Sequence, residues 1–377
     1  MRMFTFLKGS VAATAAHFAG ALGIGKPALL RMSQVTLSLS LALVTPCEGW
    51  AAEPTKLTIV GGLSGISQFT RLEKPFWSSE ITDRSGGRVQ ASVHAYDESG
   101  FRGQEMLQLM RLGVVPFGTA LLAVAAGEEP ELNAVDLAAL NPDMPTLRDT
   151  VDRYRDRIRS TLRDRYGVEL LGIYSYPAQV LFCTKPFSGL SDIAGRRVRT
   201  SSVGQSELVT ALGAVPAIIP FAEMVGAVRA GTIDCAITGT LSGNEIGLAD
   251  VTTHVHAMAV NWGLSIFGAN TAAWQALPLD MRETIRSGVA ELEERIWKSA
   301  AQDTALGLAC NTGAPSCDKS RRRAMTLVPE TDADEAVRRR LLVDVVLPRW
   351  VERCGAGCAA AWNALLAPSR GIAARDE

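Results

Sequence analysis

Neither sign of charge is in excess in this chain: 38 lysines and arginines stand against 39 aspartates and glutamates, a formal net charge of −1. Nucleic acid is therefore a poor candidate partner, because phosphate binding needs a concentrated basic surface. Histidine is scarce, with 4 in 377 residues. His254 and His256 alternate along a strand-like run, a spacing that can bind metal, but only His94 could be a third histidine ligand of the mature chain, with carboxylates making up the rest. Hydrolase signatures are missing as well. Gly62-Leu63-Ser64-Gly65 lacks the glycine spacing of a nucleophile elbow, and no Ser, His and acidic set stands out. The run Gly20–Lys26 lacks the Ser or Thr of a phosphate loop, and no cofactor is expected. Internal repeats and low-complexity segments are absent too.

What the chain does have is enough apolar material for a folded protein, 47% of residues, and a length that allows two lobes with separate cores. Its first 52 residues differ from the rest. Lys26 and Arg31 precede Val35–Val44, 10 residues of apolar side chains mixed with Ser and Thr, and Gly49-Trp50-Ala51-Ala52 follows. A basic segment, a short apolar segment and small residues at a cleavage point form a secretory signal. The apolar run is too short to span a bilayer, so residues 1–52 are expected to be a leader, leaving an exported protein that does not itself span the membrane. Pro46 before Cys47 is the wrong neighbour for a lipid anchor.

Beyond Cys47 there are six cysteines, at 183, 235, 310, 317, 354 and 358, an even number that suggests disulfides in an exported protein. Cys310 and Cys317 bracket a turn-like loop and Cys354 and Cys358 bracket Gly-Ala-Gly, so local pairing within each bracket is favoured over cross-pairing. Cys183 and Cys235 lie in strand-like runs, as buried thiols or a bridge. The offsets are not standard zinc spacings.

The pattern of elements is α/β. Lys56–Gly62, Arg88–Tyr96 and Val114–Phe117 read as strands, separated by helical spacing over Thr70–Ser85 and Gly103–Leu112. Glu128–Asn141 reads as a loop and Asp149–Tyr166 as a solvated helix laced with ion pairs. Val168–Tyr176 and Val180–Thr184 are consecutive strand runs broken by Pro177, fitting a crossing from one lobe to another. Val255–Val260 and Leu264–Ala269 fit the return. Leu279–Leu308 is a long helix, and the Arg-rich helical tail from Glu330 to Trp362 is expected to brace both lobes.

Between the two crossings, Gly195–Gly239 packs three strands and two helices with Gly and Pro at the joints. Arg199 ends the run Gly-Arg-Arg-Val-Arg, and a guanidinium there, facing a cleft, offers a fork of donors matched to a carboxylate. The alternative is a surface arginine on an edge strand. Phe221 opens the second helix as core or pocket wall. Thr238 stands at a strand's carboxyl end, where α/β sheets bind ligands. Trp262, after the return strand, is a stacking residue of the cleft or core.

Gly195-Arg196-Arg197-Val198-Arg199, Leu212-Gly213-Ala214-Val215-Pro216, Pro220-Phe221-Ala222-Glu223-Met224 and Ala230-Gly231-Thr232-Ile233-Asp234, followed by Asn270, Trp274, Leu277-Pro278 and Asp280, resemble the ordered signature of TRAP-transporter substrate-binding proteins. The resemblance runs from about Lys56 to Trp297. It implies a two-lobed periplasmic-binding-protein-like fold with a hinge of crossing strands: residues 53–178 with about 264–300 in the first lobe, and 179–263 with parts of 301–377 in the second and its bracing helices. It also implies a receptor, not an enzyme, that holds a small organic acid and hands it to a TRAP membrane permease. Arg199 takes the place of the family's carboxylate-binding arginine and Phe221 that of its wall phenylalanine. Gln179 stands where sialic-acid-binding members carry a second arginine, and Thr238 where they carry an asparagine. These two departures argue against a sugar acid. They suit a monocarboxylate, aromatic or 2-oxo/hydroxy, with Gln179 offering one donor and one acceptor. Contacts from the first lobe are expected near Ser64, Phe101 and Thr119. The alternatives are a secreted metal-binding protein or enzyme using His254 and His256, or a sensor-linked receptor of the same fold.

Overall fold

The computed structural model describes residues 53–375. The leader expected over residues 1–52 lies outside them.

Two mixed sheets share the chain. In the first, β1 (Thr55–Val60) pairs in parallel with β2 (Val89–His94) and β3 (Phe117–Leu121). A later strand, β10 (Leu264–Asn270), is inserted antiparallel between β3 and β4 (Val168–Ser175), giving the order β2-β1-β3-β10-β4. The second sheet has the order β11-β9-β5-β8-β6-β7, from β5 (Gln179–Cys183), β6 (Arg197–Thr200), β7 (Val215–Ile218), β8 (Cys235–Gly239), β9 (His254–His256) and β11 (Thr326–Val328). The chain leaves the first sheet over residues 176–178 and returns over 257–263. The two passes are tied side by side: Tyr176 N–H donates to Gly263 O at 3.0 Å, Gln179 N–H to Asn261 O at 2.8 Å, and Val260 N–H to Gln179 O at 2.8 Å. Two hydrogen-bonded crossings make a hinge in which one strand cannot move without the other.

Two segments differ from the sequence reading. The third strand is Phe117–Leu121 rather than Val114–Phe117. Gly113, at φ +73°, turns the chain after the preceding helix, and Pro116 has no N–H to give a ladder, so pairing starts one residue later. Leu112 and Val114 are left exposed by that turn. Residues 128–141 are not a surface loop. Pro130–Asp136 form a 3₁₀ helix, and Leu132–Asn141 are buried throughout. Ala139, the one non-glycine with positive φ among the described residues (70°), is held there by its neighbours. Its N–H donates to Val260 O at 2.7 Å, and its carbonyl accepts from the Arg338 guanidinium. A left-handed alanine is strained, and these bonds from the return crossing and the tail hold it in place.

The long helix Leu279–Asn311 runs for about 50 Å at 1.5 Å per residue. It packs on β4 at its start and on helix Thr240–Glu245 at its end. A Cβ at Gly307 would stand 2.2 Å from Leu241 N, so the close approach of these two helices needs glycine. The tail helices touch both sheets' surroundings. Trp350 Nε1–H donates to Pro130 O at 2.8 Å, Asp334 accepts from Leu190 N–H at 2.8 Å, Arg353 pairs with Glu207, and Arg370 pairs with Asp149 at 2.6 Å.

All six cysteines among the described residues are paired: Cys183–Cys235 across the β5/β8 register, Cys310–Cys317 and Cys354–Cys358. By loop-closure entropy, the 52-residue loop closed by Cys183–Cys235 should contribute roughly 4 kcal/mol and the 4-residue closure of Cys354–Cys358 roughly 2. The double variant Cys183→Ala/Cys235→Ala should therefore lose more unfolding free energy in denaturant than Cys354→Ala/Cys358→Ala. Equal losses would contradict the entropic account.

Candidate functional site

A cleft of about 630 Å³ opens between the two sheets, beside the hinge. The carboxyl ends of β2, β6 and β8 meet there, as an open α/β sheet arranges its ligand crevice. Tyr96, Asp97, Phe101 and Arg102 reach it from the loop after β2. Arg199, Ser201, Phe221 and Thr238 reach it from the second sheet, and Tyr176, Gln179 and Gly263 form its floor at the hinge.

Arg199 is the electrostatic centre of this cleft. It is 4% exposed, and no carboxylate among the described residues forms an ion pair with it. Nε donates to Ile219 O at 2.8 Å and Nη1 to Ile237 O at 2.7 Å. Those two neutral carbonyls hold the fork in place and leave Nη2 without a protein partner. Desolvation pushes its pKa down to about 10, so it stays charged at neutral pH. Arg197, two residues earlier on β6, shows the ordinary arrangement: both arms of its fork are taken by Asp234, and it is exposed. A buried cation lacking a counterion costs free energy unless an anion arrives. The arrangement can therefore do one thing well, which is to receive a carboxylate.

Gln179 sits at the hinge and differs from the sequence reading. Its amide N–H groups are both spent, donating to Pro177 O at 2.9 Å and Trp262 O at 3.1 Å. It has no donor left to offer. Thr238, nearly buried at the end of β8, makes no side-chain hydrogen bond to the protein, so its hydroxyl can serve either way. Phe221 and Phe101 supply apolar wall from opposite sides. Phe221 packs against Leu63, Ile66 and Tyr176 of the first lobe.

Three of the expected residues stand back from the cleft. Ser64 donates its N–H and its hydroxyl to the Asp97 carboxylate, at 2.8 and 2.9 Å, and so positions a residue that lines the cleft. Thr119 is sealed inside β3, level with Phe267, with its hydroxyl unpartnered. Trp262 is core: it is buried, and its indole N–H donates to Asn141 O at 2.9 Å. Only its backbone carbonyl faces Gln179. Conversely, Tyr96, Asp97, Tyr176 and Ser201 line the cleft without having been singled out. Each follows the carboxyl end of a strand, which is the signal that could have found them.

His254 and His256 are not placed as a metal pair. His256 is buried with its ring stacked on Phe187, its Nδ1 accepting from Met258 N–H at 3.1 Å and its Nε2 facing Asp334 at 3.5 Å. Desolvation lowers its pKa, against the pull of Asp334. His254 Nδ1 is 2.8 Å from the Thr253 hydroxyl. Among the described residues no group of three or more His, Cys, Asp or Glu could hold a metal.

Residues 67–307 match the family model of the bacterial extracellular solute-binding protein, family 7. The chain belongs to this family. Its members are the periplasmic receptors of TRAP transporters, a family of binding proteins and not of enzymes. The chain is 22% identical over 342 residues to the C4-dicarboxylate-binding periplasmic protein DctP of Rhodobacter capsulatus, covering 88% of this chain and 96% of that one. Its fold is similar to that of DctP7, a Bordetella pertussis extracytoplasmic solute receptor binding pyroglutamic acid, with a TM-score of 0.71 and 21% identity. That match covers 82% of this chain and 99% of that one. A TRAP periplasmic solute-binding protein from Desulfovibrio salexigens with bound orotic acid gives a TM-score of 0.71 at 18% identity, over 81% of this chain and 96% of the other. The fold is thus the two-lobed one of TRAP solute receptors.

Proposed function

We propose that the protein is the periplasmic receptor of a TRAP transporter, closing its lobes over a small organic monocarboxylate and delivering it to the membrane permease. The observation that carries this reading is the Arg199 guanidinium, buried in the cleft with one arm free and no acid beside it. A single carboxylate is favoured because Arg199 is the buried cation of the cleft, whereas Arg102 stands exposed at its rim. Phe101 and Phe221 suit a flat or aromatic body beside that carboxylate, and Thr238 suits an oxygen next to it. The relatives that bind pyroglutamic acid and orotic acid fit a ring acid, whereas the C4-dicarboxylate-binding one marks the other direction the family takes.

A thermal-shift panel of organic acids tests the reading. An acid at a hundredfold excess over its Kd should stabilise the receptor by about 2.7 kcal/mol, a rise of several degrees. The same acid at the same concentration should stabilise Arg199→Ala by less than about 1 kcal/mol. Stabilisation of both proteins alike by every acid that binds, or of neither by any acid, would refute it.

A further inference from the structure

Gln179 is turned so that only its oxygen is available to the cleft. The orientation follows from its partners. Nε2 lies 2.9 Å from Pro177 O in the outgoing crossing and 3.1 Å from Trp262 O in the return crossing. A flipped amide would set Oε1 against two carbonyl oxygens, with no proton for either contact, so the network admits one assignment. The amide is also wedged in place: a Cβ at Gly239 would come within 3.2 Å of Nε2, and one at Gly263 within 3.3 Å. Oε1 takes no hydrogen bond from the protein and is not sealed from solvent. Gln179 itself lines the cleft.

The register sets this oxygen beside the carboxylate anchor. Gln179 pairs with Gly239 on β8, and Thr238 with Val180. Arg199 Nη1 rests on Ile237 O, two residues back along the same strand. The cation, the Thr238 hydroxyl and the amide oxygen therefore all gather at the end of β8 that lines the cleft.

We infer that Gln179 is a specificity-determining residue that selects acids carrying an N–H or O–H donor beside the carboxylate, such as 2-hydroxy acids and lactam acids, over 2-oxo acids and lactones of the same shape. This rests on the reading of Arg199 as the carboxylate anchor. A ligand that lacks the donor can turn its oxygen to Thr238, which is able to donate, but it still desolvates Gln179 Oε1 with nothing in return. Leaving such an acceptor unpaired weakens binding roughly 5- to 150-fold.

Matched pairs test this by calorimetry on the full mature protein. The lactam 5-oxopyrrolidine-2-carboxylate is set against the lactone 5-oxotetrahydrofuran-2-carboxylate, and phenyllactate against phenylpyruvate. In each pair that binds, the donor-bearing acid should be at least about fivefold tighter. Gln179→Met, which removes the acceptor, should shrink that gap to under about threefold while binding still depends on Arg199. The wild-type comparison needs no variant, so a hinge defect in Gln179→Met cannot mask the result. Donor-free acids that bind as well or better, with Arg199 still required, would overturn this inference alone. If no acid of either pair binds in an Arg199-dependent way, the anchor reading falls for these acids and the inference falls with it.

Discussion

Arg199→Ala should weaken binding of the receptor's acid by about 2–5 kcal/mol, a loss from about thirtyfold to several thousandfold, while the unliganded protein melts close to the wild-type temperature. The two halves of the expectation have one cause. The guanidinium is desolvated and held by only two neutral carbonyls of the protein, at Ile219 and Ile237, so its burial cost offsets those two bonds. When a carboxylate closes onto the free arm, the same burial turns the pair into a charge-assisted contact in a water-poor site. Arg199→Lys should fall between wild type and alanine, because an ammonium keeps the charge but cannot hold both carbonyls and reach the ligand. A binding isotherm for each variant, beside its melting curve without ligand, checks both halves. A large drop in the unliganded melting temperature would recast Arg199 as a structural residue.

Asp136→Ala should be the most damaging single change to the hinge, lowering unfolding free energy by about 3–5 kcal/mol through the buried donors it strands. Asp136 ends the buried 3₁₀ segment and accepts from Trp262 N–H at 3.0 Å, Gly263 N–H at 2.8 Å and Asn261 Nδ2 at 2.9 Å. The network continues outward. Gln205 Nε2 donates to Asn261 Oδ1 at 2.8 Å, and Ser201 N–H donates to Gln205 Oε1 at 2.7 Å, two residues beyond Arg199. Affinity should fall together with stability, since the return crossing and the end of β6 lose a common support.

The pH dependence of this carboxyl has a definite sign. Burial pushes Asp136 up to about 7, against the pull of its three donors, whereas an unfolded aspartate titrates near 3.9. The folded state holds the proton more firmly, so the contribution is complete below about pH 4 and is lost as pH rises through about 7. Across that window the loss is up to about 4 kcal/mol. Asp136→Asn does not titrate there. The wild type minus Asn difference in unfolding free energy should therefore shrink from pH 4.5 to pH 7.5. A difference that stays flat or grows would show that the donors, not burial, dominate.

Much of the site was legible because strands and their ends leave periodic traces. Arg199 and Thr238 each sit at or just before a strand's carboxyl end, and Phe221 opens a helical turn where the motif order predicts it. The hinge showed itself as two pairs of adjacent strand runs. The chemistry of Gln179 did not, because its orientation is decided by carbonyls at 177 and 262, far apart in sequence and neutral in any motif. Trp262 left two readings open, and a partner 121 positions away decided for the core. Residues 128–141 read as a loop because Pro130 and acidic residues punctuate them. Their burial comes from the tail packing over them through Arg338 and Trp350, a contact that local pattern does not carry. For Ser64 and Thr119 the resemblance implies only that first-lobe contacts lie near them. Ser64 positions Asp97, and Thr119 is buried within β3 away from the cleft.

The central claim is that the cleft closes on an acid held by Arg199. The most direct measurement is a crystal structure of the receptor with the small molecule that stabilises it most. A carboxylate is expected within about 3 Å of the free Arg199 nitrogen, Nη2, with the body of the ligand between Phe101 and Phe221. A bound molecule that leaves Nη2 to water, or one that lies outside the cleft, would contradict it.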